Sequence, residues 1–262
     1  MSKIFGLLFF LICTGSAFAQ DNAPYEKKLF VQGNDTLPYR VLLPQNYDRA
    51  KTYPLVLFLH GAGERGNDNE KQLIHGSQMF LRDSVRNNFP AIVIFPQCAA
   101  GDYWATVGFS VDTATNKRQF KFMPDSTPGA PMRMLLAFHK YINQQYRIDQ
   151  ARQYVGGLSM GGMGTFELVY RLPDTFAAAF AICGGADTTT AASMTKTDWW
   201  IFHGLEDPVV NPQLSKDMAQ ALQSHGAEVK LTLYPGVKHD SWTNAFAEPQ
   251  LFPWLFAKRL KK

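Results

Sequence analysis

A regular alternation governs the chain from about residue 53 onward: short apolar runs rich in β-branched and aromatic residues are separated by longer segments compatible with helices. Several runs, such as Leu55–Leu59 and Ala177–Ile182, are apolar without a polar face, as strands covered on both sides should be. The order is therefore β-α-β-α. It predicts an α/β fold with a mostly parallel sheet and helices on both faces.

The strand and helix boundaries follow from the same pattern. An antiparallel hairpin at the sheet edge is predicted around the turn Gly33-Asn34-Asp35. Its strands cover residues 28–31 and 38–43, and the later strands are expected at residues 55–59, 91–95, 153–155, 177–182, 199–202 and 229–234. The predicted helices span residues 71–86, 132–146, 160–171, 212–224 and 243–260. The one long connection, residues 98–131, is expected to be functional or to contain small elements of its own.

Composition excludes several classes of protein. With 46% hydrophobic residues, 18% charged residues and 3 cysteines, the chain is neither disordered, nor collagen-like, nor a disulfide scaffold. The net charge of +4 is spread without any run of like charges, so it gives no argument for a nucleic acid or an acidic membrane surface as partner.

The first nineteen residues are typical of a secretory signal peptide. Lys3 gives a positive start, residues 4–13 are apolar, and Ala17-Phe18-Ala19 places small residues where a signal peptidase reads. The apolar run is shorter than the roughly 20 residues that a membrane span needs. Cys13 follows the bulky Ile12, which disfavours a lipoprotein signal. We expect a secreted or periplasmic protein with one domain over residues 20–262.

A candidate nucleophile lies in the motif Gly157-Leu158-Ser159-Met160-Gly161. The bare G-x-S-x-G pattern is weak evidence, but here it follows a predicted strand and opens a predicted helix, which is the setting of a nucleophile elbow. Side chains two positions from the serine would collide on so sharp a turn, so glycine is required there. The alternative is a glycine-rich turn whose serine caps a helix.

A serine hydroxyl needs a base and an acid, and chain order selects both. For a nucleophile on such a turn, the acid and then the histidine follow the serine. His239 is the only later histidine in a loop just past the last strand, and it is the predicted base; His203 ends an apolar strand and is expected to be structural. Asp207, extended before Pro208, is the predicted acid, with Glu206 as its solvated neighbour.

Backbone N–H groups are expected to stabilise the oxyanion of an acyl-transfer reaction. One should come from Met160, directly after the serine, and the other from Ala62 in the glycine-rich loop at residues 60–66. A phosphate cradle is disfavoured for this loop, because it lacks both the Lys-Ser/Thr of a P-loop and the dinucleotide spacing.

Six motifs in order resemble the α/β-hydrolase superfamily. They resemble more closely the secreted esterases and predicted peptidases related to feruloyl esterases, polyhydroxybutyrate depolymerases and dienelactone hydrolases. The motifs are Leu59-His-Gly-Ala-Gly-Glu-Arg-Gly66, Phe95-Pro-Gln-Cys98 with Trp104 nearby, Gly157-Leu-Ser-Met-Gly161, Ile182-Cys-Gly-Gly185, His203-Gly-Leu-Glu-Asp207 and His239-Asp-Ser-Trp242. Dienelactone hydrolases use a cysteine nucleophile, whereas position 159 here is serine. The resemblance implies an eight-stranded sheet. Lids in this superfamily commonly enter between the sixth and seventh strands, and the segment there, Cys183 to Asp198, is too short for a large lid.

The resulting hypothesis is a serine carboxylesterase that uses Ser159, His239 and Asp207 through an acyl-enzyme. Small or plant cell-wall esters of feruloyl or acetyl type are the expected substrates. Trp104 and Trp242 are the candidate aromatic walls, with the alternative that each packs its own loop. Arg65 is either a carboxylate receptor or, as we prefer, held within its loop. A peptidase of the prolyl-oligopeptidase type is the main alternative function, followed by a non-catalytic binding protein.

Neither a metal nor an organic cofactor is expected, because the chain has no H-E-x-x-H motif and no Cys/His cluster. In the strand order that the resemblance implies, Cys98 and Cys183 follow strands separated by two others, about 14 Å apart at the usual strand spacing. A disulfide requires Cα atoms within about 7 Å. We therefore predict two free, buried thiols.

Overall fold

The computed structural model describes residues 24–113 and 118–261. The predicted signal peptide, residues 1–19, lies outside this part of the chain. The strands are β1 (Glu26–Gln32), β2 (Asp35–Leu42), β3 (Tyr53–Leu59), β4 (Ile92–Pro96), β5 (Val107–Val111), β6 (Arg118–Phe122), β7 (Ile148–Leu158), β8 (Ala178–Ile182), β9 (Asp198–Gly204) and β10 (Val229–Tyr234). The α-helices are α1 (Ser77–Leu81), α2 (Asp83–Asn88), α3 (Ala130–Gln145), α4 (Met160–Arg171), α5 (Pro212–Ser224), α6 (Trp242–Ala247) and α7 (Leu251–Ala257).

Eight of the strands form one sheet in the order β1-β2-β4-β3-β7-β8-β9-β10. The β1–β2 hairpin is antiparallel and β2 is antiparallel to β4, whereas every other neighbouring pair is parallel. The predicted mostly parallel, eight-stranded sheet with an antiparallel edge hairpin is confirmed. Because parallel strands end at the same edge, the loops after β3, β7, β9 and β10 all leave the sheet on one side.

The core lies on both faces of this sheet. Along β3, Leu55, Leu57 and Leu59 belong to one buried apolar cluster, while Val56 and Phe58 belong to the other. Side chains alternate between the faces of a strand, so a strand with no exposed side chain needs cover on both sides. Helices α3, α4 and α5 contribute to the first cluster, and α1, α2 and α7 to the second.

Two predicted helices are interrupted. The segment predicted over residues 71–86 contains a 3₁₀ turn at Lys71–Leu73 followed by α1 and α2, because Gly76 has φ 85° and Arg82 has an extended ψ of 131°. The segment predicted over residues 243–260 breaks between α6 and α7. Glu248 is extended there, as a residue before proline tends to be, and Pro249 follows it.

The long connection at residues 98–131 contains the small β5–β6 hairpin, an antiparallel pair outside the main sheet. The Glu167 carboxylate on α4 anchors the start of this hairpin by accepting hydrogen bonds from the N–H and the hydroxyl of Thr106. Phe120 and Phe122 pack against a small buried cluster that contains Met163. The prediction that this connection holds elements of its own is confirmed.

Cys98 and Cys183 are both free and buried, as predicted. Cys98 follows β4 and Cys183 follows β8, and strands β3 and β7 lie between them in the sheet. Burial raises the pKa of the Cys98 thiol to about 12.

Among the described residues no helix is both long and apolar enough to cross a membrane.

Candidate active site

Ser159 occupies a sharp turn between β7 and α4, with a left-handed φ of 53°. The turn depends on its glycines: a Cβ on Gly161 would lie 1.9 Å from the Leu59 carbonyl oxygen, and one on Gly157 would lie 2.4 Å from that of Gly161. The Ser159 N–H donates to the Ile182 carbonyl oxygen at 2.8 Å. The sequence thus folds into the strand-turn-helix elbow that its spacing predicts.

His239 and Asp207 reach Ser159 from the loops after β10 and β9. The Ser159 hydroxyl donates to His239 Nε2 at 2.9 Å. His239 Nδ1 in turn donates to Asp207 Oδ2 at 2.7 Å. The structure brings together the three side chains that chain order selected, although they are 80 and 32 residues apart in sequence. Serine, imidazole and carboxylate in this order can move a proton from the hydroxyl to the imidazole.

The Asp207 carboxylate is fully buried and accepts four hydrogen bonds. Its Oδ1 receives the N–H groups of Val209 at 2.8 Å and Val210 at 3.0 Å, and its Oδ2 is shared by His239 and His203. Burial alone would raise the pKa of this carboxyl, but the hydrogen bonds from His203, His239 and Val210 outweigh it and hold the pKa well below its usual range. Asp207 is therefore ionised at neutral pH.

Ala62 and Met160 are the two predicted oxyanion donors, and both follow strands that end at the cleft. Ala62 begins a 3₁₀ turn that lines the cleft above Ser159, and Met160 is the first residue of α4. N–H groups in the first turn of a helix have no partner within that helix, so the Met160 N–H is free to meet a developing negative charge.

His60 fixes the loop that carries Ala62. The ring is buried, its Nδ1 donates to the Gly61 carbonyl oxygen at 2.6 Å, and its Nε2 accepts the Cys98 N–H at 2.9 Å. Burial lowers the pKa of His60 to about 4, so the imidazole is neutral at pH 7. The neighbouring Arg65 donates to the carbonyl oxygen of Ala62 in its own loop, as preferred, and also to that of Asp102 in the long connection.

The cleft at Ser159 has a volume of about 250 Å³. One wall carries Trp242 and His75, whose ring centroids are 5.2 Å apart, and Trp242 also lies edge-on to His239 at 5.5 Å. The lining further includes Tyr103, Arg118 and Phe120, all from the long connection or its hairpin. The cleft is thus bounded by aromatic rings and contains one arginine from the hairpin.

Trp104 does not form a wall of the cleft, and this prediction is wrong. Its side chain has no exposed surface, and its Nε1 donates to the His60 carbonyl oxygen at 3.1 Å. The ring packs where Gly164 leaves room, since a Cβ on Gly164 would lie 2.5 Å from Trp104 Cβ. Trp104 therefore packs behind the glycine-rich loop at residues 60–66, whereas Trp242 lines the cleft as predicted.

Three further features of the site escaped the sequence analysis. His203 contacts Asp207 directly, although its position at the end of an apolar strand indicated only a structural role. Glu64 is buried in the cleft lining, with Oε1 3.6 Å from His75 Nε2. Arg118 and Phe120 reach the cleft on the hairpin. No local motif marks these residues, because their positions depend on how distant loops meet.

The ligating atoms of Cys183, Asp207 and His239 lie within 4.8 Å of one another. This set does not suit a metal: Asp207 and His239 already share a hydrogen bond, and burial raises the pKa of the Cys183 thiol far above neutrality. A thiol must lose its proton to become a strong ligand. The grouping is explained by the hydrogen-bonded serine, histidine and aspartate alone.

The chain is similar in sequence to known esterases. The phospholipase/carboxylesterase family model matches residues 111–252, which is more than half of the chain. Feruloyl esterase B from Thermothelomyces thermophilus (strain ATCC 42464 / BCRC 31852 / DSM 1799) is 25% identical over 219 residues, covering 63% of this chain and 75% of that protein.

Solved structures show the same fold. The crystal structure of a thermostable esterase superposes with a TM-score of 0.80 and 30% identity, covering 90% of this chain and 64% of its own. This chain therefore spans somewhat less than two thirds of that structure's length. A ferulic acid esterase from the anaerobic fungus Anaeromyces mucronatus gives a TM-score of 0.64 at 19% identity and 91% coverage of both chains, a likeness of fold alone. The chain belongs to the phospholipase/carboxylesterase family and is an α/β hydrolase.

Proposed function

We propose that the protein is an exported serine carboxylic ester hydrolase that works through an acyl-enzyme on Ser159. The observation that carries this proposal is the unbroken line of hydrogen bonds from the Ser159 hydroxyl through His239 to the buried, ionised Asp207. A serine is a poor nucleophile unless a base accepts its proton, and this line supplies both the base and the acid that orients it.

The proposed reaction has two steps. His239 Nε2 accepts the Ser159 proton as Oγ attacks the ester carbonyl, and the Ala62 and Met160 N–H groups stabilise the oxyanion of the tetrahedral intermediate. His239 then protonates the leaving alcohol, which leaves an ester on Ser159. Water, activated by the same imidazole, releases the acid and restores the hydroxyl. No step uses a metal or an organic cofactor.

Soluble or plant cell-wall esters of feruloyl or acetyl type are the proposed substrates. The cleft is open and lined by aromatic side chains, among them Tyr103, Phe120 and Trp242, which suit an aromatic acyl group or a sugar ring. The feruloyl esterase similarity supports the same class. A volume of about 250 Å³ matches a small ester better than a long lipid chain.

Replacement of the nucleophile tests the mechanism. Ser159→Ala is expected to abolish turnover of p-nitrophenyl acetate while the circular dichroism spectrum and thermal unfolding stay those of the wild type. The matched control is Ser224→Ala, which removes an exposed hydroxyl at the end of α5 and should retain full activity. Retained turnover by folded Ser159→Ala would overturn the assignment.

A substrate panel separates esterase from peptidase activity. The panel contains methyl ferulate, acetylated xylan, p-nitrophenyl esters of short and long acids, and a prolyl p-nitroanilide. We expect the aromatic and short-chain esters to give the highest kcat/KM. Cleavage of the anilide above that of every ester would favour the prolyl-oligopeptidase alternative.

We also propose that the protein is exported, because residues 1–19 have the pattern of a signal peptide, and that residues 20–262 form one domain. N-terminal sequencing of the protein secreted by a bacterial host is expected to begin at Gln20. Recovery of the intact N-terminus in the cytoplasm would contradict export.

A further inference from the structure

A second imidazole, that of His203, contacts the carboxylate of Asp207. His203 lies at the end of β9, four residues before Asp207, and its Nε2 is 3.1 Å from Asp207 Oδ2 and 3.0 Å from the Val210 carbonyl oxygen. The side chains of His203 and Asp207 both have no exposed surface. Water therefore cannot replace this contact, and its energy is that of a buried, charge-assisted hydrogen bond.

The neighbours of His203 determine which ring nitrogen carries the proton. Nε2 faces two acceptors, a carboxylate oxygen and a carbonyl oxygen, so Nε2 is protonated and donates. Nδ1 lies 2.7 Å from the hydroxyl of Ser215 on α5, which is itself 3.0 Å from the Gly184 carbonyl oxygen. Both ring nitrogens of His203 are thus held: Nε2 by the loop that carries Asp207, and Nδ1 by Ser215 on α5.

Backbone hydrogen bonds join the loop that carries Asp207 to the loop that carries His239, and the His203 side chain takes no part in them. The N–H groups of Leu205 and Glu206 donate to the carbonyl oxygens of Tyr234 and Val237 at 3.0 Å. Gly204 permits this approach, because a Cβ there would lie 2.2 Å from the Lys238 carbonyl oxygen. His203 is therefore not needed to bring the loops into contact.

The two oxygens of the Asp207 carboxylate are bound by different groups. The backbone of Val209 and Val210 binds Oδ1, whereas Oδ2 is bound by side chains alone, His239 on one side and His203 on the other. Without His203, only the His239 imidazole would hold Oδ2. From this geometry we infer that His203 is a positioning residue, which keeps Asp207 Oδ2 aligned on His239 Nδ1 throughout the reaction.

The inference rests on the proposed function, since it gives His203 a role only through Asp207 and His239. It predicts a loss in kcat rather than in KM, because a misaligned imidazole impairs proton transfer and leaves the cleft unchanged. Misplacement of a catalytic group costs roughly 10- to 100-fold in rate. A role confined to packing would instead change stability alone.

Two replacements of similar size separate these roles. His203→Gln retains an N–H donor near the position of Nε2, while His203→Met removes it. We expect His203→Met to lose roughly 10- to 100-fold in kcat on p-nitrophenyl acetate with KM unchanged. The far-downfield ¹H NMR resonance of the proton between His239 and Asp207 should also disappear. His203→Gln should recover most of the rate and the resonance.

Equal kcat values and equal spectra for folded His203→Met and His203→Gln would overturn the inference. If His203→Met does not fold, Ser215→Ala decides, because it frees only the Nδ1 end of the imidazole. We expect it to lower kcat and broaden the resonance, and wild-type values for both would contradict the positioning role. Ser159→Ala separates the two proposals: if it is inactive while His203→Met behaves as wild type, only the inference fails.

Discussion

Two regions form the cleft: the strand-end region, at the carboxyl ends of β3, β7, β9 and β10, and the β5–β6 hairpin. The two regions are held in place by different interactions. Asp207 at the strand ends is fully buried and bonded through both oxygens. The hairpin lies outside the main sheet, and its Phe109 and Val111 are 58% and 55% exposed. The proposed reacting groups thus lie at the ends of strands of the main sheet, whereas part of the proposed substrate wall belongs to a hairpin outside that sheet.

We therefore expect the strand ends and the hairpin to affect different steps of the reaction. Groups that transfer a proton must stay within hydrogen-bond distance of each other, and buried strand ends provide that precision. A wall that contacts different acids or alcohols needs no such precision, and surface loops tolerate change. Changes at the strand ends should therefore alter kcat or stability, and changes in the hairpin should alter KM.

The largest effect is expected for Asp207→Asn. An amide cannot stabilise the imidazolium and favours the wrong tautomer of His239, so kcat should fall by about 10⁴-fold, the effect of the same change in a serine protease triad. Steady-state kinetics with p-nitrophenyl acetate measure it. The matched control is Glu206→Gln, which changes the exposed neighbouring carboxylate and should leave kcat unaltered. Equal losses in both variants would contradict the assignment of the acid.

A glycine-to-alanine change should lower the free energy of unfolding much more in the elbow than in the hairpin. The Cβ of Gly161→Ala would meet the Leu59 backbone at 1.9 Å, so we expect a loss of about 3 kcal/mol in the free energy of unfolding. Gly108→Ala in the hairpin introduces a Cβ with nothing within 4 Å and should change that free energy far less. Urea denaturation measures both, and similar losses would contradict the difference in packing between the elbow and this part of the hairpin.

Acid should weaken the strand-end region through His60. Its folded pKa of about 4 lies below the ordinary value of 6.5, so the unfolded state takes up the proton first. Stability from neutral His60 is complete above pH 6.5 and is lost as pH falls towards 4, by about 3 kcal/mol in all. Unfolding free energies of wild type and His60→Gln at pH 7 and 4.5 test this. The same pH dependence in both proteins would show that His60 is not responsible.

The smallest effect is expected in the hairpin wall. Phe120→Ala removes an aromatic ring from the cleft lining, so the KM for methyl ferulate should rise several-fold, corresponding to about 1 kcal/mol, with kcat nearly unchanged. Val111→Ala, on the exposed part of the same hairpin, is the control and should leave KM unaltered. A large fall in kcat for Phe120→Ala would mean that the hairpin also positions reacting groups.

The same division separates what the sequence could predict from what it could not. The strands, the elbow and the grouping of Ser159, Asp207 and His239 follow from local apolar runs, required glycines and chain order, and all are present in the structure. The sheet imposes this outcome, because parallel strands bring distant loops to one edge.

The cleft walls carry no comparable signal. Trp104 is an aromatic residue near a site motif, yet whether such a ring faces substrate or packs inward depends on space left by a distant residue, here Gly164. Likewise, nothing near residue 203 in the sequence indicates that α5 and the acid loop enclose its imidazole. These contacts depend on tertiary packing between segments that are remote in sequence.

Ser159 is the proposed nucleophile, and its reactivity is expected to depend on the hydrogen bonds to His239 and Asp207. Intact-protein mass spectrometry after brief exposure to a fluorophosphonate, followed by peptide mapping, tests it most directly. We predict a single phosphonyl adduct on Ser159, absent in Ser159→Ala, much slower in Asp207→Asn and unchanged in Glu206→Gln. An adduct at another residue, or labelling of Ser159 at the same rate in Asp207→Asn, would contradict the account.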